Sequence, residues 1–139
     1  PGSYAINEAG LTGYSFVNIT GTGCPAQLGG NVTLANGQNI TCTITNDDIA
    51  PQLTVTKHVV TDNGGGAAAG DFTMNVTATN PSDSSFPGDE SGTTITLDAG
   101  SYSVDEDAVD GYAKTLGANC SGSIAIGEHK YCTITNDGR

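Results

Sequence analysis

Basic residues are almost absent from this sequence: four Lys and Arg stand against 15 Asp and Glu in 139 residues, a formal charge of −11. Nucleic acids and anionic membrane surfaces need Lys/Arg patches, so neither is an expected partner. There is no Trp, and only three Phe and one Met, so the core is expected to be thin. Charge is scarce too, at 14%, with five Pro, whereas disordered chains usually carry more of both. Coiled coils are richer in Ala, Glu, Lys and Leu. No apolar run nears the roughly 20 residues of a membrane span, so no membrane insertion is expected. No basic stretch followed by an apolar one opens the chain, so an export signal is expected to have been removed or to lie outside it. What remains is a polar, uncharged majority of Thr, Ser, Asn and Gly, in a length that suits one domain or one and a fraction.

The chain repeats itself. Gly2-Ser3-Tyr4-Ala5-Ile6-Asn7-Glu8 returns as Gly100-Ser101-Tyr102-Ser103-Val104-Asp105-Glu106. Each Glu is followed by Gly-Tyr, at Gly13-Tyr14 and Gly111-Tyr112, and then by Cys24 or Cys120. Cys42-Thr43-Ile44-Thr45-Asn46-Asp47 recurs unchanged as Cys132-Thr133-Ile134-Thr135-Asn136-Asp137. The copies are unequal, because Pro51 to Ala99 leads into the second motif and nothing comparable precedes the first. The expected organisation is the C-terminal half of a repeat over residues 1–50 and a complete repeat over 51–139. The half would be completed by upstream sequence or by another subunit.

The segments read as short strands between turns. Leu53 to Val60 is rich in β-branched residues, and Phe72, Met74, Val76 and Ala78 alternate with polar partners, a half-buried strand pattern. Thr93–Leu97 and Ser101–Val104 follow the same rule, with Asp62–Gly66 and Asn80–Asp83 as loops. No window shows a capped 3.6-residue period. The fold class is therefore all-β, a sandwich of about seven strands per full repeat. Such a thin core needs covalent staples.

Four cysteines allow three connectivities. The repeat favours pairing within each copy, Cys24 with Cys42 and Cys120 with Cys132, which implies an oxidising, extracytoplasmic setting. Free buried thiols are the alternative. A zinc site would want closer Cys/His spacing, and His58 and His129 have no repeat counterparts, so no metal or other cofactor is expected and both histidines read as surface residues.

Lys57 lies mid-strand among Val55, Val59 and Val60, Glu106 ends one strand and Asn136 ends the last. Together with Gly100-x-Tyr102-x-x-x-Glu106 and Gly111-Tyr112, this pattern resembles the collagen-adhesin B-type repeats (SpaA-like or prealbumin-like domains) of surface adhesins and pilins. The likeness covers the second copy and the C-terminal half of the first. The Cys-Thr-Ile-Thr-Asn-Asp ending is also similar to the terminal signature of tandem repeats in secreted prokaryotic proteins. The resemblance implies an Ig-like/prealbumin-like β-sandwich in which Lys57 and Asn136 join spontaneously as an isopeptide, assisted by Glu106. Glu8 and Asn46 hold the equivalent positions in the first copy. The chain departs from the family at Ala108-Val109-Asp110, where a Pro usually precedes Gly-Tyr. Its disulfides are atypical of pilin repeats, and they either accompany the isopeptide or replace it.

The chemistry is intelligible from the residue types. An amine attacks an amide carbon only as neutral –NH2, a form that burial favours. A neutral carboxylic acid beside them can polarise the amide carbonyl and pass a proton to the departing ammonia. Holding the partners side by side supplies the effective concentration. This is a single-turnover maturation, and no phosphate loop, nucleophile elbow or His/Asp/Ser grouping points to an enzyme.

Five N-x-S/T sequons, at Asn18, Asn31, Asn39, Asn75 and Asn119, point to a glycan-clad exterior. The acidic runs Asp83 to Glu90 and Asp105 to Asp110 lack the ligand order of a calcium loop and read as a solvated face. The expected function is a structural subunit or stalk segment of an extracellular or cell-surface filament, pilus or adhesin, with copies of itself as partners in a filament or tandem array. The alternative is a carbohydrate- or ligand-binding accessory module of a secreted protein. Such a module should expose aromatics on one face, whereas Tyr4, Tyr14, Tyr102, Tyr112 and Tyr131 sit largely within repeat motifs.

Overall fold

The computed structural model describes residues 1–138, in two compact units, Pro1–Ile49 and Ala50–Arg139. The chain is nearly all β. Among the described residues no helix is long and apolar enough to cross a membrane.

The first unit contains β1 (Gly2–Ala5), β2 (Tyr14–Thr20), β3 (Asn31–Leu34) and β4 (Thr43–Asp48). They form two two-stranded antiparallel sheets, β1 with β3 and β2 with β4. Ile19 and Val32 are its buried apolar side chains.

The second unit contains β5 (Gln52–Val60), β6 (Thr73–Thr77), β7 (Ser85–Pro87), β8 (Thr93–Thr96), β9 (Gly100–Glu106), β10 (Tyr112–Leu116), β11 (Ser121–Ile124) and β12 (His129–Gly138). Two four-stranded sheets result, ordered β10-β12-β5-β8 and β11-β9-β6-β7. The sandwich thus has one strand more than the periodicity suggested. The extra element is the short β7, where Phe86, flanked by the acidic residues around it, turns inward and is buried. A single apolar residue in a polar run carries no period, so the sequence pattern could not reveal it.

Alternation places the core. Leu53, Val55 and Lys57 on β5 face inward, as do Cys132, Ile134 and Asn136 on β12. They meet Phe72, Met74, Val76, Tyr102 and Val104 from the other sheet. The first and last strands, β5 and β12, lie parallel at the centre of their sheet, with Lys57 opposite Ile134 and Val59 opposite Asn136. Neighbouring parallel strands in one sheet require a long crossover, and here all of β6 to β11 intervenes.

The repeated motifs now have a physical reading. Gly13 and Gly111 have φ of 90° and 88°, in the left-handed region where a side chain is strained, so the turn into β2 and the turn into β10 both need glycine. Tyr102 is buried, and its hydroxyl donates to the Asn119 carbonyl at 2.6 Å, which leaves no unpaired phenol in the core.

Candidate functional site

The structure gathers Lys57, Glu106 and Asn136 inside the second unit. Their residue exposures are 0%, 6% and 1%. Lys57 enters from β5, Asn136 from the adjacent β12 two residues beyond the position opposite Lys57, and Glu106 from the end of β9 in the facing sheet. Lys57 Nζ lies 3.9 Å from Glu106 Oε2. It donates to the His58 carbonyl at 2.9 Å and reaches the Ile134 carbonyl at 3.4 Å. It also stands 4.4 Å from the centre of the Phe72 ring, a distance at which a cation is attracted to the aromatic face.

Burial pushes the Lys57 amine below its ordinary value, toward the neutral form, while the nearby Glu106 and Glu90 carboxylates pull the other way. Both Glu106 carboxyl oxygens and the Asn136 carbonyl oxygen are buried without a hydrogen-bond partner. Leaving such groups unpaired costs about 1–3 kcal/mol each, and more for a charged one. A buried amine, an unpaired carboxyl and an unpaired carboxamide in one core are therefore a high-energy set whose reaction would relieve it.

Phe72, which alternation already turns inward, and Gly88, which carries no such signal, shape this pocket. Phe72 precedes β6 and roofs the Lys57 amine, its ring edge-on to Tyr112 at 5.4 Å. Gly88 packs against the lysine stem: a Cβ there would lie 2.7 Å from Lys57 Cβ and Cγ and 2.6 Å from the Ala69 carbonyl. Only a residue with no side chain fits that approach. A Pro-Gly pair beside acidic residues gives loop punctuation as its sequence signal, not a packing contact. Glu90, read as part of a solvated acidic run, is exposed, and it also accepts from the Val59 N–H at 2.9 Å and pairs with His58 Nδ1 at 2.8 Å. It closes the far end of β5.

In the first unit, Glu8 and Asn46 also come together, and Asn46 Nδ2 donates to Glu8 Oε2 at 3.1 Å. Asn46 is exposed and Glu8 half-buried, and residues 1–49 contain no lysine. Disulfides join Cys24 to Cys42 and Cys120 to Cys132. The second ties the turn after β10 to the middle of β12 and is part of the core. His58 and His129 are exposed, the latter stacked on Tyr131 at 4.4 Å. Of the sequon asparagines, Asn18, Asn31, Asn39 and Asn119 are exposed. Asn75 is half-buried, and its amide donates to Asp107 Oδ1 at 2.9 Å.

A family model described as a prealbumin-like fold domain matches residues 1–44 and 48–135. The chain belongs to that family. Among solved structures it is similar to the major pilin protein T3.2 from Streptococcus pyogenes, at 15% identity and a TM-score of 0.42, over 96% of this chain and 65% of that one. The T-13 major pilin of the same organism gives 16% identity and a TM-score of 0.40, over 96% and 64%. A pilus-presented adhesin gives 17% and 0.38, over 66% of this chain and 28% of the adhesin. This prealbumin-like chain thus spans less than a third of the adhesin and just under two thirds of the pilins. No protein of curated function matches it.

Proposed function

We propose that the chain is a structural segment of an extracellular filament, pilus or adhesin stalk, strengthened by its two disulfides and by an isopeptide bond between Lys57 and Asn136. The observation that carries this reading is the buried grouping of Lys57, Glu106 and Asn136 on the first and last strands of one sandwich. In the reaction the neutral Lys57 amine attacks Asn136 Cγ. A new C–N bond forms, the Cγ–Nδ2 bond breaks, and the leaving nitrogen departs as ammonia with a proton relayed through the Glu106 carboxyl. The amide product has no charge to solvate, so it suits a dry core better than an ammonium does.

The mechanical consequence follows from topology. β5 and β12 are parallel neighbours, so a covalent tie between them carries tension from one end of the unit to the other without shearing the remaining strands. The matches to pilins and a pilus-presented adhesin agree with this use, and the four exposed sequons provide places for glycans on a surface-displayed chain. Intact-mass measurement of the purified, reduced chain tests the bond: the expected mass is that of the sequence less one ammonia, and the unaltered sequence mass would refute it. Electron microscopy of native material tests the assembly, with filaments expected and dispersed single chains counting against it.

A further inference from the structure

β8 covers one edge of β5 only from Gln52 to Val55. Beyond that point the loop after β7 takes over. The Lys57 N–H donates to the Asp89 carbonyl at 3.0 Å, and the Val59 N–H donates to Glu90 Oε2 at 2.9 Å. A side-chain carboxylate thus stands where a paired strand would present a carbonyl. The loop that carries it is itself fixed. Asp89 Oδ1 accepts from the Ser91 N–H at 2.9 Å, and the Asp89 carbonyl also accepts from the Gly92 N–H at 3.1 Å.

The peptide group between His58 and Val59 is held from both ends. Its N–H is the one that Glu90 Oε2 accepts, and its carbonyl is the one to which Lys57 Nζ donates at 2.9 Å. Glu90 Oε1 also pairs with His58 Nδ1 at 2.8 Å. The His58 bond, and after it the Val59 N–H, holds the Glu90 carboxyl below its ordinary value, so it is an ionised acceptor at neutral pH. The His58 and Glu90 side chains are 55% and 51% exposed, and an exposed ion pair contributes little by itself. What the contact does is fix the peptide group. A peptide N–H bonded to a carboxylate also makes its carbonyl a stronger acceptor.

The geometry points to Glu90 as a positioning residue for the Lys57–Asn136 cross-link, acting through the His58–Val59 peptide; this rests on the reading of that bond given above. A neutral amine has two hydrogens and one lone pair. With one hydrogen on the His58 carbonyl and the other toward the Ile134 carbonyl at 3.4 Å, the lone pair is left free to attack. Ile134 lies two residues before Asn136 on β12, so the two acceptors hold the amine between its own strand and the one it must join. The lone pair forms the bond to Asn136 Cγ, the Cγ–Nδ2 bond breaks, and ammonia leaves with the proton relayed through Glu106. Without Glu90 the Val59 N–H has only water, and the His58 carbonyl loses its fixed direction. Reactions between held partners are sensitive to about 1 Å of misplacement. Glu90 touches neither reacting atom, so its effect belongs in the rate of the bond and not in whether it can form.

The test follows cross-linking in the full chain, made by chemical ligation and kept in denaturant so that it has never folded. Wild type, Glu90→Ala and Glu90→Gln are refolded under oxidising conditions. Far-ultraviolet circular dichroism follows folding, and intact mass after quenching and reduction follows the loss of ammonia. Gln keeps a carbonyl oxygen for the Val59 N–H and an amide for His58 Nδ1. Glu90→Ala should fold at the wild-type rate but lose ammonia about ten-fold more slowly, with faster hydrogen exchange at the Val59 amide. Glu90→Gln should restore the rate to within about two-fold of wild type. Equal ammonia loss in wild type and Glu90→Ala would overturn the proposal while leaving the Lys57–Asn136 bond in place. So would an equally slow Glu90→Gln, which would assign the effect to charge, or a slowing matched by slower folding. No ammonia loss in the wild type would refute the bond itself and remove the proposal with it.

Discussion

Tyr4 and Tyr102 hold the same place in one repeated motif, yet one side chain lies open and the other is sealed in a core. The same contrast runs through Asn46 and Asn136, which hold the same place in an identical six-residue motif, Cys-Thr-Ile-Thr-Asn-Asp. Asn46 is exposed and bonded to Glu8, while Asn136 is buried with its carbonyl unpaired. The motifs that hold these residues recur almost unchanged in the two halves, so the difference follows what is packed against them. Residues 51–99 supply two strands to each sheet, a lysine and most of the large apolar side chains of the core. Residues 51–99 are what separates a buried Glu/Asn pair from an exposed one, and on the proposed function that burial is what makes the pair reactive toward Lys57.

The sharpest way to break that contrast is Asn136→Ala. It leaves the sandwich intact but removes the partner of Lys57, so the ammonia-loss signature should disappear. Stability should fall by about 4 kcal/mol, because the tie closes a long loop of the unfolded chain. Calorimetry on the wild type and variant checks this. A change below about 1 kcal/mol would mean that the covalent tie contributes nothing.

Reduction comes next. Opening Cys120–Cys132 should cost about 3 kcal/mol by the same loop argument, and the second unit should stay folded on its apolar core. Opening Cys24–Cys42 should release the first unit altogether, since Ile19 and Val32 are its buried apolar side chains. Hydrogen exchange after mild reduction should therefore show β1 to β4 losing protection while β5 and β12 keep it. Simultaneous loss in both units would erase the distinction.

Gly88→Ala probes the covering segment itself. The added methyl would strike the Lys57 stem and the Ala69 carbonyl, and overpacking of that kind costs about 1–3 kcal/mol. Cross-linking, followed by mass after refolding, should slow as the lysine is pushed off its path. An unchanged rate would show that Gly88 has no part in positioning it.

How much of this was legible beforehand divides along the same line. Fold class, the repeat and the identities of Lys57, Glu106 and Asn136 are written in local patterns: alternation, motif recurrence and a resemblance anchored on a few residues. The roles of Phe86 and Gly88, and the contact of Phe72 with Lys57, are not, because they depend on segments far apart in sequence. Phe86 sits in an acidic run with no period, and Gly88 looks like any loop glycine until Lys57 is laid against it. Glu90 is exposed, as a solvated acidic run implies, but its partners, His58 and the Val59 amide, come from another strand and carry no local signal.

Acidity separates the two states of the site in a smaller way. Burial holds the Lys57 amine below its ordinary value of 10.5. With Asn136→Ala blocking the bond, the folded chain releases its proton at lower pH than the unfolded chain does. Stability should then rise as pH climbs from the lowered folded value toward 10.5, where the unfolded amine also loses its proton. The cross-linked wild type should lack that rise, since an amide does not titrate. Denaturant melts of both proteins across this window provide the check, and parallel slopes would contradict a buried titrating lysine.

The smallest expected effect is also the most discriminating. Asn46→Ala removes the counterpart of Asn136 from the first unit, and with it a solvent-accessible hydrogen bond to Glu8. Water replaces that bond, so the isolated chain should lose less than about 1 kcal/mol, against the much larger loss from Asn136→Ala. If a segment like residues 50–99 is packed on the first unit, the equality of the two motifs should reassert itself: Asn46 and Glu8 become buried, and the same substitution should then cost several-fold more. Measuring Asn46→Ala twice, on the free chain and on the chain saturated with a synthetic peptide of residues 50–99, therefore asks whether the covering segment alone accounts for the difference between the halves. A small effect in both states would mean that burial does not convert one site into the other.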